Sequence, residues 1–201
     1  MSNVISIRNN FPKIAAQLDR LGKDVGDKAM VRALNETVRQ GQTAMARQIS
    51  KEFRVKVGDA KSRLSIDYAK AKGGGVRFSA SLKATRATKG RGMNLIHFVT
   101  GGQPKRNKKG QMAQLKFQIK RSGGRKVIPG AFIATNQKTG GQAVFIRQGK
   151  ARRPIKTLTT IDIPQMFNTR RINSVIRMVM LQRFEINFQR HLRAVMKGYI
   201  K

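Results

Sequence analysis

The chain has 201 residues and a formal net charge of +34, from 43 lysines and arginines against 9 acidic residues. Its hydrophobic fraction of 39% is sufficient for a core and excludes wholesale disorder. The absence of cysteine excludes disulfides, zinc–thiolate sites and thiol catalysis. Because such a charge repels itself, we expect an anionic partner: nucleic acid first, acidic protein surfaces second and a membrane surface third.

Membrane and export signals are not apparent in the sequence. No apolar run approaches the length of a membrane span, and residues 1–20 lack the apolar core of a signal peptide. We therefore expect a protein that is made in the cytoplasm of its host and ends up in a particle, and we do not count the third-ranked membrane surface among its partners.

Apolar residues at helical spacing predict three helices in the first third of the chain. The first is short and covers residues 11–21. The second runs from a cap at Asp27 to about Phe53, and Gly41 in its middle costs roughly 1 kcal/mol relative to alanine, which suggests a close helix contact there. The third covers about residues 59–65.

Five strands are predicted next, mostly from alternating apolar and polar residues. Their ranges are 76–85, 94–99, 115–120, 127–135 and 143–148. Strands with one polar and one apolar face favour antiparallel pairing. Pro129 places the start of the fourth strand at an edge or a bulge. Helices from both ends of the chain would cover the apolar face, which makes an α+β fold with a central antiparallel sheet of about five strands.

A long C-terminal helix is predicted after Asp162 and Pro164, with Gly198 as its stop. Apolar residues lie on one face in its first half and on a roughly opposite face in its second half. This pattern indicates either a break near residues 181–184 or one helix that serves two partners. We expect the second half to contact a neighbouring subunit through Phe184, Phe188, Leu192 and Val195.

The predicted organisation is one α+β domain over residues 1–161, with helices in 11–65 and the sheet in 76–148. Residues 162–201 form a C-terminal helical segment and a candidate inter-subunit arm.

The connections between the predicted strands are rich in glycine and cationic. No Asp or Glu occurs between Asp67 and Asp162, whereas a solvated surface usually mixes both signs. The expected contacts to an anionic partner are Lys105, Arg106, Lys108, Lys109, Arg121, Arg125, Lys126, Arg152 and Arg153. Two alternatives stay open for these loops: DNA phosphates and acidic faces of other proteins.

Catalytic chemistry is not signalled. His97 lies in a predicted apolar strand and His191 in a predicted solvated helical position, without a third ligand or base near either. Asp59 and Asp67 do not form the carboxylate cluster of a magnesium nuclease. The glycines at 73–75 lack the Lys-Ser/Thr of a phosphate-binding loop. We predict no catalytic, metal or cofactor site.

Two separated stretches resemble the minor tail protein Z (tail completion) family of tailed bacteriophages. The first covers residues 33–60, with Ala-Leu-Asn-Glu-Thr at 33–37 and Lys-Glu-Phe at 51–53. The second and more specific one has Pro-Gly-Ala-Phe-Ile-Ala at 129–134, then Val-Phe-Ile-Arg, Gly-Lys and Arg-Pro-Ile-Lys between 144 and 156. Its motif residues are Pro129, Gly130, Phe132, Phe145, Arg147, Gly149, Pro154 and Ile155. Family members often continue with a Tyr-Gly-Pro-Ser-like turn, whereas residues 157–164 differ here.

The resemblance implies a structural protein of the virion that acts in tail completion and head–tail joining at the head-proximal end of the tail. An oligomeric ring near the DNA channel is the usual organisation there. The implied partners are other tail and neck proteins, such as the tail terminator, tail tube and tape measure, together with the genomic DNA end. The alternative is a free, non-sequence-specific nucleic-acid-binding or packaging accessory protein, and an enzyme acting on DNA ranks last.

Overall fold

The computed structural model describes residues 3–7, 23–71, 76–85, 92–101, 113–136 and 140–198. The helix predicted over residues 11–21 lies outside the described residues. The same holds for Lys105, Arg106, Lys108 and Lys109.

The described part of the chain contains α1 (Lys23–Glu52), α2 (Val57–Ser62), α3 (Ile163–Phe167) and α4 (Arg170–Met196). The second predicted helix is confirmed as α1, which begins a few residues earlier than expected. The third is confirmed as α2 but ends at Ser62, because a strand begins at Leu64. The long C-terminal helix is confirmed as α4, which is followed by Gly198 at φ +72°, where glycine is favoured. The predicted start at Asp162 and Pro164 instead belongs to the separate short helix α3.

Short antiparallel strands make up the rest of the described fold. They are β1 (Asn3–Ile7), β2 (Leu64–Asp67), β3 (Lys70–Ala71), β4 (Val76–Arg77), β5 (Ala80–Ala84), β6 (Met93–Asn94), β7 (Val99–Thr100), β8 (Lys116–Phe117), β9 (Lys126–Val127), β10 (Ala131–Thr135), β11 (Gln142–Arg147), β12 (Ile155–Thr157) and β13 (Thr159–Thr160).

The strands form several small sheets rather than the single central sheet of five strands that we expected. Three-stranded sheets have the orders β1-β5-β2, β7-β8-β9 and β10-β11-β12, and two-stranded sheets pair β3 with β4 and β6 with β13. Helices and antiparallel sheets share one core, so the α+β class is confirmed.

The strand predicted over residues 94–99 is wrong in its middle. Leu95–Phe98 is a 3₁₀ turn that buries Leu95 and Phe98. The Asn94 carboxamide oxygen accepts hydrogen bonds from the backbone N–H groups of Ile96, at 2.9 Å, and Val144, at 3.0 Å. This side chain caps the turn and attaches it to β11, which a run of apolar residues does not reveal.

The strand predicted over residues 127–135 is divided at Pro129, where we expected only an edge or a bulge. The Ala131 N–H donates to the Ile128 carbonyl at 3.2 Å, and Gly130 has φ +75°. A turn therefore separates β9 from β10, and it requires glycine because other residues rarely adopt that conformation.

α1 and α4 pack antiparallel and form the centre of the core. Arg171 Nε lies 3.7 Å from Glu52 Oε1 at one end of the pair, and His191 Nε2 lies 2.7 Å from Glu36 Oε2 at the other. Between these ends, a Cβ added to Gly41 would lie 2.8 Å from Met180 Sδ. The predicted close helix contact at Gly41 is confirmed.

The subunit contact predicted for the second half of α4 needs correction. The helix is unbroken, and Phe184 and Phe188 are fully buried in the chain's own core, with Leu192 at 7% exposure and Val195 partly buried against them. These side chains are therefore not available to a neighbouring subunit. The buried apolar positions of α4 are Ile172, Ile176, Met180, Phe184, Phe188 and Leu192.

Successive buried positions in α4 are four residues apart. Each four-residue step moves the buried position by about 40° around the helix, so the two ends of the stripe lie on roughly opposite faces of α4. The stripe is nevertheless one continuous packed surface.

We predict that Gly41→Ala lowers the free energy of unfolding by about 1 kcal/mol. The new methyl group overlaps buried Met180, and this overlap costs more free energy than the higher helix propensity of alanine contributes. Urea unfolding followed by circular dichroism measures this difference. The matched control is Gly58→Ala in α2, where an added Cβ meets nothing within 4 Å, and which should be neutral or stabilising by up to about 1 kcal/mol.

Because of the contact between Gly41 and Met180, the effect of Gly41→Ala on the free energy of unfolding should change sign when Met180 is also replaced. Met180→Ala is destabilising by itself, but it removes the overlapping atoms, so Gly41→Ala added to it should then be stabilising. Equal effects of Gly41→Ala in both backgrounds would contradict the assigned contact.

Candidate interaction surfaces

The residues that carry the family motif converge on one sheet, β10-β11-β12. Phe132 lies opposite Phe145 in the register, with ring centroids 6.1 Å apart. The Arg147 guanidinium carbon lies 5.2 Å from the centroid of the Phe132 ring, and Arg147 itself pairs with Ile155. These contacts make one layer of aromatic, cationic and aliphatic groups on a single face.

The β11–β12 connection is a basic hairpin, which we define as residues 147–156. Its turn is closed by a hydrogen bond from the Gln148 N–H to the Pro154 carbonyl at 3.1 Å. Arg147 Nη1 donates to the Arg152 carbonyl at 3.0 Å. The exposed cations of this hairpin are Arg147, Lys150, Arg152, Arg153 and Lys156.

A second basic connection, residues 118–126, joins β8 to β9. Arg121 attaches it to the end of α1, since its Nε donates to the Ser50 carbonyl at 2.7 Å and its N–H donates to the Glu52 carbonyl at 2.9 Å. Arg125 and Lys126 are exposed beside it. The predicted loop cations that the structure describes therefore lie on two hairpins of two different sheets.

A third cationic surface was missed by the analysis of the sequence. A groove of about 890 Å³ lies along the seam between α1 and α4, and we call it the α1–α4 groove. Its exposed cations are Arg32, Arg39, Arg47 and Arg183. Arg32, Arg39 and Arg47 follow one another at intervals of seven and eight residues along α1. This spacing places them on one face of the helix and was the signal in the sequence that could have revealed the surface.

A charged cluster at one end of the groove joins α1 to α4. The Glu36 carboxylate accepts hydrogen bonds from the Arg190 guanidinium and, at 2.7 Å, from His191 Nε2. The hydrogen bond from Arg190 lowers the pKa of Glu36 most, His191 lowers it further, and partial burial acts in the opposite direction. His191 is therefore not the solvated residue we expected, since its side chain is only 19% exposed.

A buried polar network continues from this cluster. Asn187 Nδ2 donates to Thr37 Oγ1 at 3.0 Å and to Gln40 Oε1 at 3.2 Å. Thr37 and Asn187 are 0% and 2% exposed. A buried carboxamide without these partners would be costly, so the network specifies one register of α1 against α4.

His97 differs from its predicted place in a strand. It lies in the 3₁₀ turn with its side chain 40% exposed, and its Nδ1 is 3.5 Å from Asp59 Oδ2. Among the described residues, no three His, Asp or Glu side chains are grouped so that they could hold a metal ion. No helix in that part of the chain is both long enough and apolar enough to cross a membrane.

An α+β unit with several cationic surfaces has the character of a binding or structural component. A family model, prophage minor tail protein Z, matches residues 13–198. The match covers nearly the whole chain, so this protein belongs to the minor tail protein Z family and has a structural role in a phage tail. No curated protein and no solved structure matches the chain.

The Glu36 cluster predicts a pH dependence of stability. Because the pKa of Glu36 is lowered from 4.5 in the folded state, its stabilising contribution is fully present above that pH and is lost as the pH falls through the lower folded value. We expect Glu36→Gln to cost about 1 kcal/mol at pH 7 and to flatten the loss of stability as the pH falls below 4.5.

Urea unfolding at a series of pH values measures the effect. Glu185→Gln is the control, because Glu185 is exposed on α4, and it should leave the profile unchanged. Parallel pH profiles for wild type and Glu36→Gln would show that the cluster does not contribute.

Proposed function

We propose that this protein acts in tail completion and head–tail joining at the head-proximal end of the tail. In this proposal it forms an oligomeric ring near the DNA channel, and its basic hairpins face the genomic DNA end. Its neighbours are tail and neck proteins such as the tail terminator, tail tube and tape measure. The role is structural and assigns no catalysis to the chain.

The observation that carries the proposal is the separation of acidic and basic side chains. Four acidic residues of the described helices and strands pair with cations of other elements: Glu36 with Arg190 and His191, Glu52 with Arg171, Asp59 with His97 and Asp67 with Lys83. Asp162 caps α3 in a capping box with Gln165. These acids hold the fold together and do not neutralise the basic hairpins.

The basic hairpins therefore depend on an external anion. Arg125, Lys126, Arg152 and Arg153 are exposed, and the sequence supplies no acid between Asp67 and Asp162. Such cations bind phosphates without reading sequence, through charge and counterion release. Of the components of a phage particle, the genome is the densest polyanion, which supports a position near its path.

The joining role is tested by deleting the gene for this chain from its phage. We expect separate heads and tails to accumulate, and purified protein added to the lysate should restore joined, infectious particles. Tails that lack the chain and still join heads normally would overturn the joining role, while the structural role in the tail would stand.

The DNA contact is tested by the salt dependence of binding to a short duplex. Neutralising Arg125, Lys126, Arg152 and Arg153 to glutamine should weaken binding and reduce the slope of log K against log salt by about 0.9 per lost phosphate contact. Fluorescence anisotropy over a salt series gives the slope. The control neutralises Arg32, Arg47 and Arg183 in the α1–α4 groove, and it should leave the slope close to that of wild type.

An unchanged slope in the hairpin variant would assign these hairpins to acidic protein partners. A binding stoichiometry that grows with DNA length, instead of stopping at a fixed number of copies, would favour a coating protein over a ring.

A further inference from the structure

The cations of the α1–α4 groove lack acidic partners. In the described part of the chain, Arg32, Arg47 and Arg183 make no ion pair or hydrogen bond. The acid that lines this groove is Glu36, and Arg190 and His191 already occupy its carboxylate. The groove therefore presents net positive charge that an external acidic group is needed to balance.

The arginines on the α1 side form a regular row. Arg32, Arg39 and Arg47 are separated by seven and eight residues, which corresponds to about 10 Å and 12 Å along the helix axis. The middle member is held in place, because its guanidinium lies 5.2 Å from the centroid of the Tyr68 ring and its Nε donates to Tyr68 Oη at 3.3 Å. The side chain of Arg39 therefore loses less conformational entropy when a partner binds.

The floor of the groove mixes polar and apolar groups. Ala44 and Val179 are its apolar members and are partly buried, as is the neighbouring Thr43. A groove between two packed helices accepts a third helix, whose apolar side chains can cover such a floor. A DNA duplex presents a charged backbone and would leave Ala44 and Val179 without apolar contacts.

We propose that the α1–α4 groove binds an acidic α-helical segment of another protein. The acidic side chains of that segment recur at seven- to eight-residue intervals and pair with the arginine row, while small apolar residues of the segment contact Ala44 and Val179. The match is geometric, because two helices share the same rise per residue. Charge argues against a second copy as the occupant. α4 carries a single acid, and Glu36 and Glu52 of α1 are already paired. The other two acids of α1, Asp24 and Asp27, are only three residues apart and do not match the spacing of the arginine row.

The proposal concerns protein contacts of the helical side and is independent of the DNA contact assigned to the basic hairpins. The test uses the full-length chain and two labelled helical peptides of identical composition. One peptide carries glutamates at seven- and eight-residue intervals with alanines between them. The other carries the same glutamates clustered at one end.

Fluorescence anisotropy should show that the spaced peptide binds about tenfold more tightly than the clustered peptide, which three exposed ion pairs of ordinary strength can supply. The variant R32Q/R47Q/R183Q should lose this preference. The matched variant R125Q/K126Q/R152Q removes the same charge from the basic hairpins and should retain it. Unchanged thermal melting of both variants shows that the fold is intact.

Three outcomes would overturn the proposal. Equal affinity of wild type for the two peptides would mean that spacing is not recognised. Equal losses of affinity for the spaced peptide in the two triple variants would mean that the peptide binds through net charge alone. A groove variant that loses affinity for a DNA duplex while its peptide binding is unchanged would make the groove a nucleic-acid site.

Discussion

The antiparallel packing of α1 on α4 is the constraint on which the rest of the structure depends. Gly41 allows the helices to approach until Met180 fills the gap, and the buried Asn187–Thr37 hydrogen bond fixes which residues face each other. Residues from nearly opposite ends of the chain thereby form one core. Because the small sheets are too short to be stable alone, their stability depends on packing against this helical centre.

That packing also explains how the protein tolerates its charge. Several acidic residues join elements of the fold, as Glu36 does between α1 and α4 and Asp67 does with Lys83. Lysines and arginines without acidic neighbours are left on the basic hairpins and along the groove. A protein arranged in this way favours anionic surroundings.

The sequence predicted those features that depend on local pattern. α1 and the helix start at Asp162 and Pro164, which belongs to α3, follow from helix signals. The irregularity of the backbone at Pro129 follows from the chemistry of proline. Leu95–Phe98 was mistaken for a strand because an apolar run does not show that Asn94 caps a turn. The role of Met180 and the α1–α4 groove depend on the register between distant helices, which periodicity within one helix cannot supply.

The most direct test of the account is a count of this chain in purified, joined phage particles. Quantitative mass spectrometry of gradient-purified particles, with the portal as the internal reference, gives copies per particle. The account predicts a small, fixed number that matches one ring and does not change when the packaged genome is shortened. Absence of the chain from particles, with recovery on free nucleic acid in the lysate, would contradict it.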